Sequence, residues 1–307
     1  MTGRGAALAA ALAATLVAAG CADDGPVPSS RIAGPRLLAI AADPPVLGPG
    51  GATSLRALVV DGDGDEVAAA VARLTLRACS PWRPIQDPDR DCGPDASLPL
   101  ALDGEVARLD ADAVLARFPP PPDLDGGGPI GGGGDGGDAP PCPAAYPHVE
   151  LAVVADATVP GDDGVTVRLT AIKRLRLTWV DDVVRTVPRI SALLIDDVPV
   201  APGTSPVAVD AGDEVVVAVR PAPDALDRTC DGAQPPARVL EPVRIHLYAT
   251  AGDLGAASVD ARHDAADVEQ LDTTTYVAPM AGAAVLWAVA VDDDGGIGWA
   301  RFDVAVR

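Results

Sequence analysis

Hydrophobic residues recur at every second position over much of this chain. In VARLTLRACS (71–80), Leu74, Leu76 and Ala78 share one face, while Arg73, Thr75 and Arg77 share the other. The run VTVRLTAIKRLRLTW (165–179) sustains the pattern longest. Val165, Val167, Leu169, Ala171, Leu175, Leu177 and Trp179 fall in line, interrupted only by Lys173. A period of two sends alternate side chains to opposite faces, so these runs predict half-buried β-strands. RLLAIAADPP (36–45), ATSLRALVVDGDGDE (52–66) and VELAVVAD (149–156) read the same way. In the second half come RISALLIDDVPVA (189–201), DEVVVAVRP (213–221), VRIHLYATAG (243–252) and TTTYVAP (273–279). A final hairpin, AAVLWAVAVDDDGGIGW then ARFDVAVR, closes on the turn at 293–296. Asp-, Gly- and Pro-rich turns separate the runs. Only EVARLDADAVLARF (105–118) offers a competing helical turn. About seven short strands in each half predict an all-β chain of two tandem two-sheet sandwiches.

Composition agrees with that reading. A length of 307 residues suffices for two cores, and 32 Gly with 31 Pro favour turns over long helices. Aromatics are only 3%, so the cores must be built from small and β-branched side chains. The tract PPPPDLDGGGPIGGGGDGGDAPPCP (119–143) has no periodicity and reads as a disordered insertion. Were it a domain boundary, residues 146–179 would be a lone hairpin, which does not stand alone. The first domain is therefore expected over 36–180, with 119–143 as an insertion, and the second over 187–307. A net charge of −21 with scattered basic residues repels phosphate backbones, so no nucleic acid is expected as a partner.

The chain opens with Arg4, a charge-free run over 6–19, and then LVAAGCADD (16–24). The apolar run is shorter than the ~20 residues needed to span a bilayer, and has the proportions of a secretory signal. Small residues leading to Cys21 resemble the lipobox of bacterial lipoproteins, with Ala18 standing where that family usually carries Leu. The resemblance implies a signal peptide over 1–20, acylation of Cys21 and a flexible tether over 21–35. Acyl chains at ~0.8 kcal/mol per buried CH₂ anchor a protein without a transmembrane helix. Ala22, where an Asp would favour inner-membrane retention, implies an outer-membrane lipoprotein of the cell envelope, facing the periplasm or the outside. The alternative is an ordinary signal peptide that leaves Cys21 as a disulfide partner.

Cys79, Cys92, Cys142 and Cys230 form an even set, which in an oxidising compartment predicts two disulfides. Three connectivities are open. Joining Cys79 to Cys92 closes a short loop, stabilising by ~3 kcal/mol, and would leave Cys142 with Cys230.

A broader likeness rests on LLAIAADPPVLGPGGATSLRALVVDGDGD, on LRACSPW…DC, and on IHLYATAGDLG…TTTYVAPMAGAAVLWAVAVDDDGGIGWA. These stretches resemble immunoglobulin-like (cadherin-like) lipoproteins of Gram-negative bacteria. The resemblance implies two immunoglobulin-like β-sandwich domains and an envelope location, and supplies no active residues.

Catalytic chemistry finds little footing. His148, His246 and His263 are the only histidines, and no GxSxG accompanies them. Their spacing does not suit zinc. GGGPIGGGGDGG lacks the Lys-Ser/Thr ending of a phosphate loop. Carboxylates for glycoside cleavage are abundant, yet no pair stands out. Trp82, Trp179, Trp287 and Trp299 are expected at strand or hairpin positions, leaving few rings spare for a sugar platform. Structural calcium is the one cofactor to weigh. Asp61, Asp63 and Asp65 begin like an EF-hand loop but depart at Glu66 and Ala72; Asp181, Asp182, Asp292, Asp293 and Asp294 are further oxygen clusters. Asp and Gly also simply make good turns. The expectation is a non-enzymatic, membrane-anchored envelope lipoprotein displaying its domains to a protein or glycan partner. The alternatives are a carbohydrate-active hydrolase using loop carboxylates, or a passive stalk of a surface complex.

Overall fold

The structure, a computed structural model, describes residues 29–121, 148–161, 164–180, 183, 185–230, 238–264 and 266–307. Each half forms a sandwich with its own core. In the first, one sheet has the order Arg36–Asp43, Ala52–Val60, Val106–Asp110, Leu102–Asp103. The facing sheet has the order Val46–Leu47, Thr166–Thr178, His148–Pro160, Thr75–Cys79, Ser97–Leu100. Pairing is antiparallel except at Val46–Leu47, which runs parallel to Thr166–Thr178. The strands that follow the Gly/Pro-rich tract thus complete the first sandwich, with Leu76 opposite Ala155.

The second sandwich repeats the plan. One sheet has the order Val198–Val200, Ile190–Ile195, Glu214–Pro221, Thr274–Val277, Asp253–Leu254. The other has Val207–Val209, Ile297–Val306, Ala283–Asp292, Val243–Ala249, Ser258–His263, Glu269–Leu271. Again one short strand, Val207–Val209, pairs in parallel with a long one. The tight turn at Asp196 and Asp197 takes positive φ at both residues, as the twist of a two-residue hairpin demands. Both domains are immunoglobulin-like sandwiches.

The cores follow the period-two pattern. The first buries Leu55, Leu76, Leu109, Leu151, Val153 and Leu175; the second buries Leu193, Val217, Ile245, Leu247, Tyr276 and Phe302. Alanine fills the remaining positions, consistent with a chain poor in aromatics. The competition over 105–118 resolves into both forms, strand Val106–Asp110 followed by helix Ala111–Arg117.

The expected tether differs at its end. Ile32 is 1% exposed, and residues 30–32 lie against the second domain, where Ile32 N donates to Ala249 O and Ala249 N to Ser30 O, both at 2.8 Å. Arg31 adds a bond from Nη1 to Gly252 O at 2.6 Å. An apolar Ile in an otherwise small and polar run is the residue that gains from this docking.

Candidate functional site

The outer face of the Arg36–Asp43/Ala52–Val60 sheet packs on the outer face of the second domain. Ala39, Leu58 and Val60 meet Val285, Trp287 and Val289 in a third apolar cluster that includes Ile32. The DGDGDE turn is the docking piece. Gly64 takes φ +82°, and a Cβ there would stand 2.6 Å from Thr250 Cγ2, so only glycine admits this approach. Trp287 Nε1 donates to Gly64 O at 2.9 Å, and Arg301 pairs with Asp65 across the seam. This turn carries Asp61, Asp63 and Asp65, the oxygens weighed above for structural calcium. Asp61 Oδ1 instead accepts from Asp63 N at 3.0 Å and Asp65 N at 2.8 Å, while Asp65 faces Arg301. Asp and Gly here serve turn geometry and docking.

A second part of the seam is ionic. Lys173, the misfit in its strand, reaches out of the first sandwich so that Nζ donates to Gly295 O of the final hairpin turn. Arg176 and Arg185 both pair with Asp294, and Arg176 also donates to Asp293 O at 2.7 Å. Asp292 Oδ1 accepts from Gly296 N at 2.6 Å. Beneath them Glu241 accepts from Asp227 N at 2.9 Å, and Asp227 from Thr186 N at 2.9 Å. Lys173, Glu241 and Asp292 are 5%, 2% and 6% exposed, so these are buried ionisable groups. Burial pushes the Glu241 carboxyl up to about 8, reinforced by Asp292, Asp227 and Asp294. Burial likewise raises Asp292 to about 6, and lowers Lys173 to about 8 against the pull of Asp292.

Asp227, Glu241 and Asp294 bring one oxygen each within 4.8 Å of one another. A hard cation can use such a spacing, and acidic groups also show it without one. Here two guanidiniums already sit on Asp294. Of the sequence candidates, Asp292 and Asp294 join this cluster, and Asp293 contributes its carbonyl. Asp181 and Asp182 lie outside the described residues, as do Cys21 and Cys142. Sequence reasoning missed Asp227, Glu241, Arg176 and Arg185; Lys173 alone carried a signal, a cation on an apolar face.

Cys79 and Cys92 are joined by a disulfide, with Cα atoms 5.3 Å apart. Their loop lies over the outer face of the His148–Pro160 strand, burying Ala152 and Val154 under Ile85. Cys230 closes the strand Arg228–Cys230. Among the described residues neither His246 nor His263 is hydrogen-bonded to a serine or cysteine; His246 is held below its usual range by burial and by Arg244. The tryptophans diverge from expectation. Trp287 is buried and Trp299 lies under Arg56 at 5.4 Å, but Trp179 is 44% exposed.

No family model matches the chain, and no curated protein sequence does. Among solved structures, the fibronectin(III)-like modules of Clostridium thermocellum CbhA align over 88% of this chain and 94% of theirs, at 11% identity and TM-score 0.23. The N-terminal Ig1-2 module of the Drosophila receptor protein tyrosine phosphatase DLAR aligns over 89% and 99%, at 12% identity and TM-score 0.24. At such scores the fold assignment rests on the sheet orders described above.

Proposed function

We propose that this chain is a lipid-anchored envelope protein that presents two locked immunoglobulin-like domains as a non-catalytic scaffold or adhesion-type unit. The observation that carries the reading is the seam. Apolar burial, the Gly64–Trp287 contact and the Lys173/Arg176/Arg185 cluster join the sandwiches into one body rather than beads on a string. Residues 30–32 leave that body from the second domain, so an anchor at Cys21 holds the pair from beside its seam. Loop carboxylates that a hydrolase would need are spent on turns and guanidiniums, as at Asp61, Asp65 and Asp294. Counter-charge at the ionic cluster comes from the chain's own cations in this reading, not from calcium.

Labelled palmitate should enter the full chain, and Cys21→Ser should abolish both labelling and membrane fractionation. A soluble, unlabelled native product would overturn the anchoring. Independent motion of the two domains in solution scattering would overturn the locked unit.

A further inference from the structure

The exposed ring of Trp179 is not isolated. It stacks on Trp82 with centroids 6.3 Å apart and planes 25° from parallel. Trp82 in turn forms a wall of a cavity of about 320 Å³ between the disulfide loop and the outer face of the His148–Pro160/Thr166–Thr178 hairpin. Pro84, Ile85 and Ala152 supply apolar surface there, and the paired Glu150 and Arg174 a polar rim. That size lies at the lower end of small-ligand sites, whose pattern is apolar walls with a few placed polar groups.

The walls are held in advance. The disulfide closes the loop, Trp82 Nε1 is tied to Phe118 O at 3.0 Å, and Arg77 Nε to Cys92 O at 3.0 Å. Asp91 Oδ2 accepts from Gln86 N and Asp87 N at 2.9 Å each, and Arg168 pairs with Asp89 to pin the loop on the hairpin. A site ordered before binding loses less entropy on taking a ligand.

One more residue decides the ligand chemistry. Arg83 also lines the cavity, and among the described residues it has neither an ion pair nor a hydrogen bond. In a chain of net charge −21, most arginines are paired with carboxylates, so a free guanidinium beside an aromatic platform is an open anion-binding group. The platform selects a flat, ring-shaped apolar face. A polyproline II peptide repeats every ~9 Å and asks for separated aromatic slots, whereas these indoles stack on one another with centroids 6.3 Å apart and leave no slot between them.

We propose that this cavity binds an acidic pyranose of the uronic-acid type, with the sugar ring against Trp82, which Trp179 backs by stacking, its hydroxyls on Glu150 and Arg174, and its carboxylate on Arg83. The test is calorimetric titration of the detergent-purified full chain with a hyaluronan tetrasaccharide, which carries glucuronate. Tetra-N-acetylchitotetraose serves as the neutral comparator and octaproline as the peptide control. The acidic sugar should bind roughly tenfold more tightly than the neutral one, the difference expected for one charge-assisted contact. Arg83→Ala should erase that preference. Trp179→Ala should weaken both sugars at least tenfold, while Trp179→Phe retains binding, with near-ultraviolet dichroism reporting an intact fold. Absence of sugar binding, equal affinity for both sugars, indifference to Trp179→Ala, or octaproline binding in their place would each overturn the assignment. None of these outcomes depends on anchoring or on domain locking.

Discussion

Along one stretch of the seam, Trp287, Val285 and Val289 are pressed onto Leu58 and Val60; along the other, Lys173, Arg176 and Arg185 meet Asp292 and Asp294 above Glu241. The same two domains are thus joined by opposite materials. Apolar burial stabilises without directional demands at about 25 cal/mol per Å². Buried ion pairs return little net energy after desolvation, and losing one partner leaves a stranded charge. The comparison teaches a division of labour, with the apolar stretch holding the domains together and the ionic stretch fixing their angle.

The sharpest way to break that comparison is Trp287→Ala. It removes the largest buried side chain of the seam and the bond to Gly64 O, and should cost about 4 kcal/mol. Calorimetry should then show two transitions, against the single one expected of the native chain. A smaller effect is expected from Asp294→Ala, about 2 kcal/mol, because Arg176 and Arg185 retain some solvent contact and are not fully stranded. An outcome in which Asp294→Ala splits the transition and Trp287→Ala does not would reverse the assignment of roles.

The subtlest effect is one of pH. Glu241, raised to about 8, favours its protonated form in the folded state, so its contribution is complete below the ordinary Glu range and fades as pH rises through 8. Asp292, raised to about 6, adds the same sign over a lower window. Lys173, lowered to about 8, acts oppositely, its contribution recovering as pH climbs from 8 toward the ordinary Lys range. The seam should therefore be weakest near pH 8. Glu241→Gln should flatten the descending limb of the melting temperature between pH 5 and 8, and an unchanged slope would remove the ionic stretch from the account.

Much of the fold was legible because strand periodicity is local. Leu74, Leu76 and Ala78 alternate with polar or charged neighbours whatever they pack against, and the buried set follows that alternation. Cys79 and Cys92 were readable as a short closure for the same reason. The seam was not, since its parts are scattered along the chain. Asp227, Glu241 and Asp294 converge only through tertiary structure, and nothing in DGDGDE distinguishes a turn that binds calcium from one that receives Trp287. Lys173 showed itself as a break in a pattern, but its partner, a backbone carbonyl, leaves no mark in sequence. Trp179 was expected at a strand position and sits just past the strand's end, where alternation no longer assigns a face.

The pairing of residues 30–32 with Ala249 also sets a mechanical order of events. A pull delivered through the segment before residue 30 would meet this short parallel bridge on the second sandwich before any load reached the strands of the first. Under tension the strap would peel first and act as a fuse, sparing both cores.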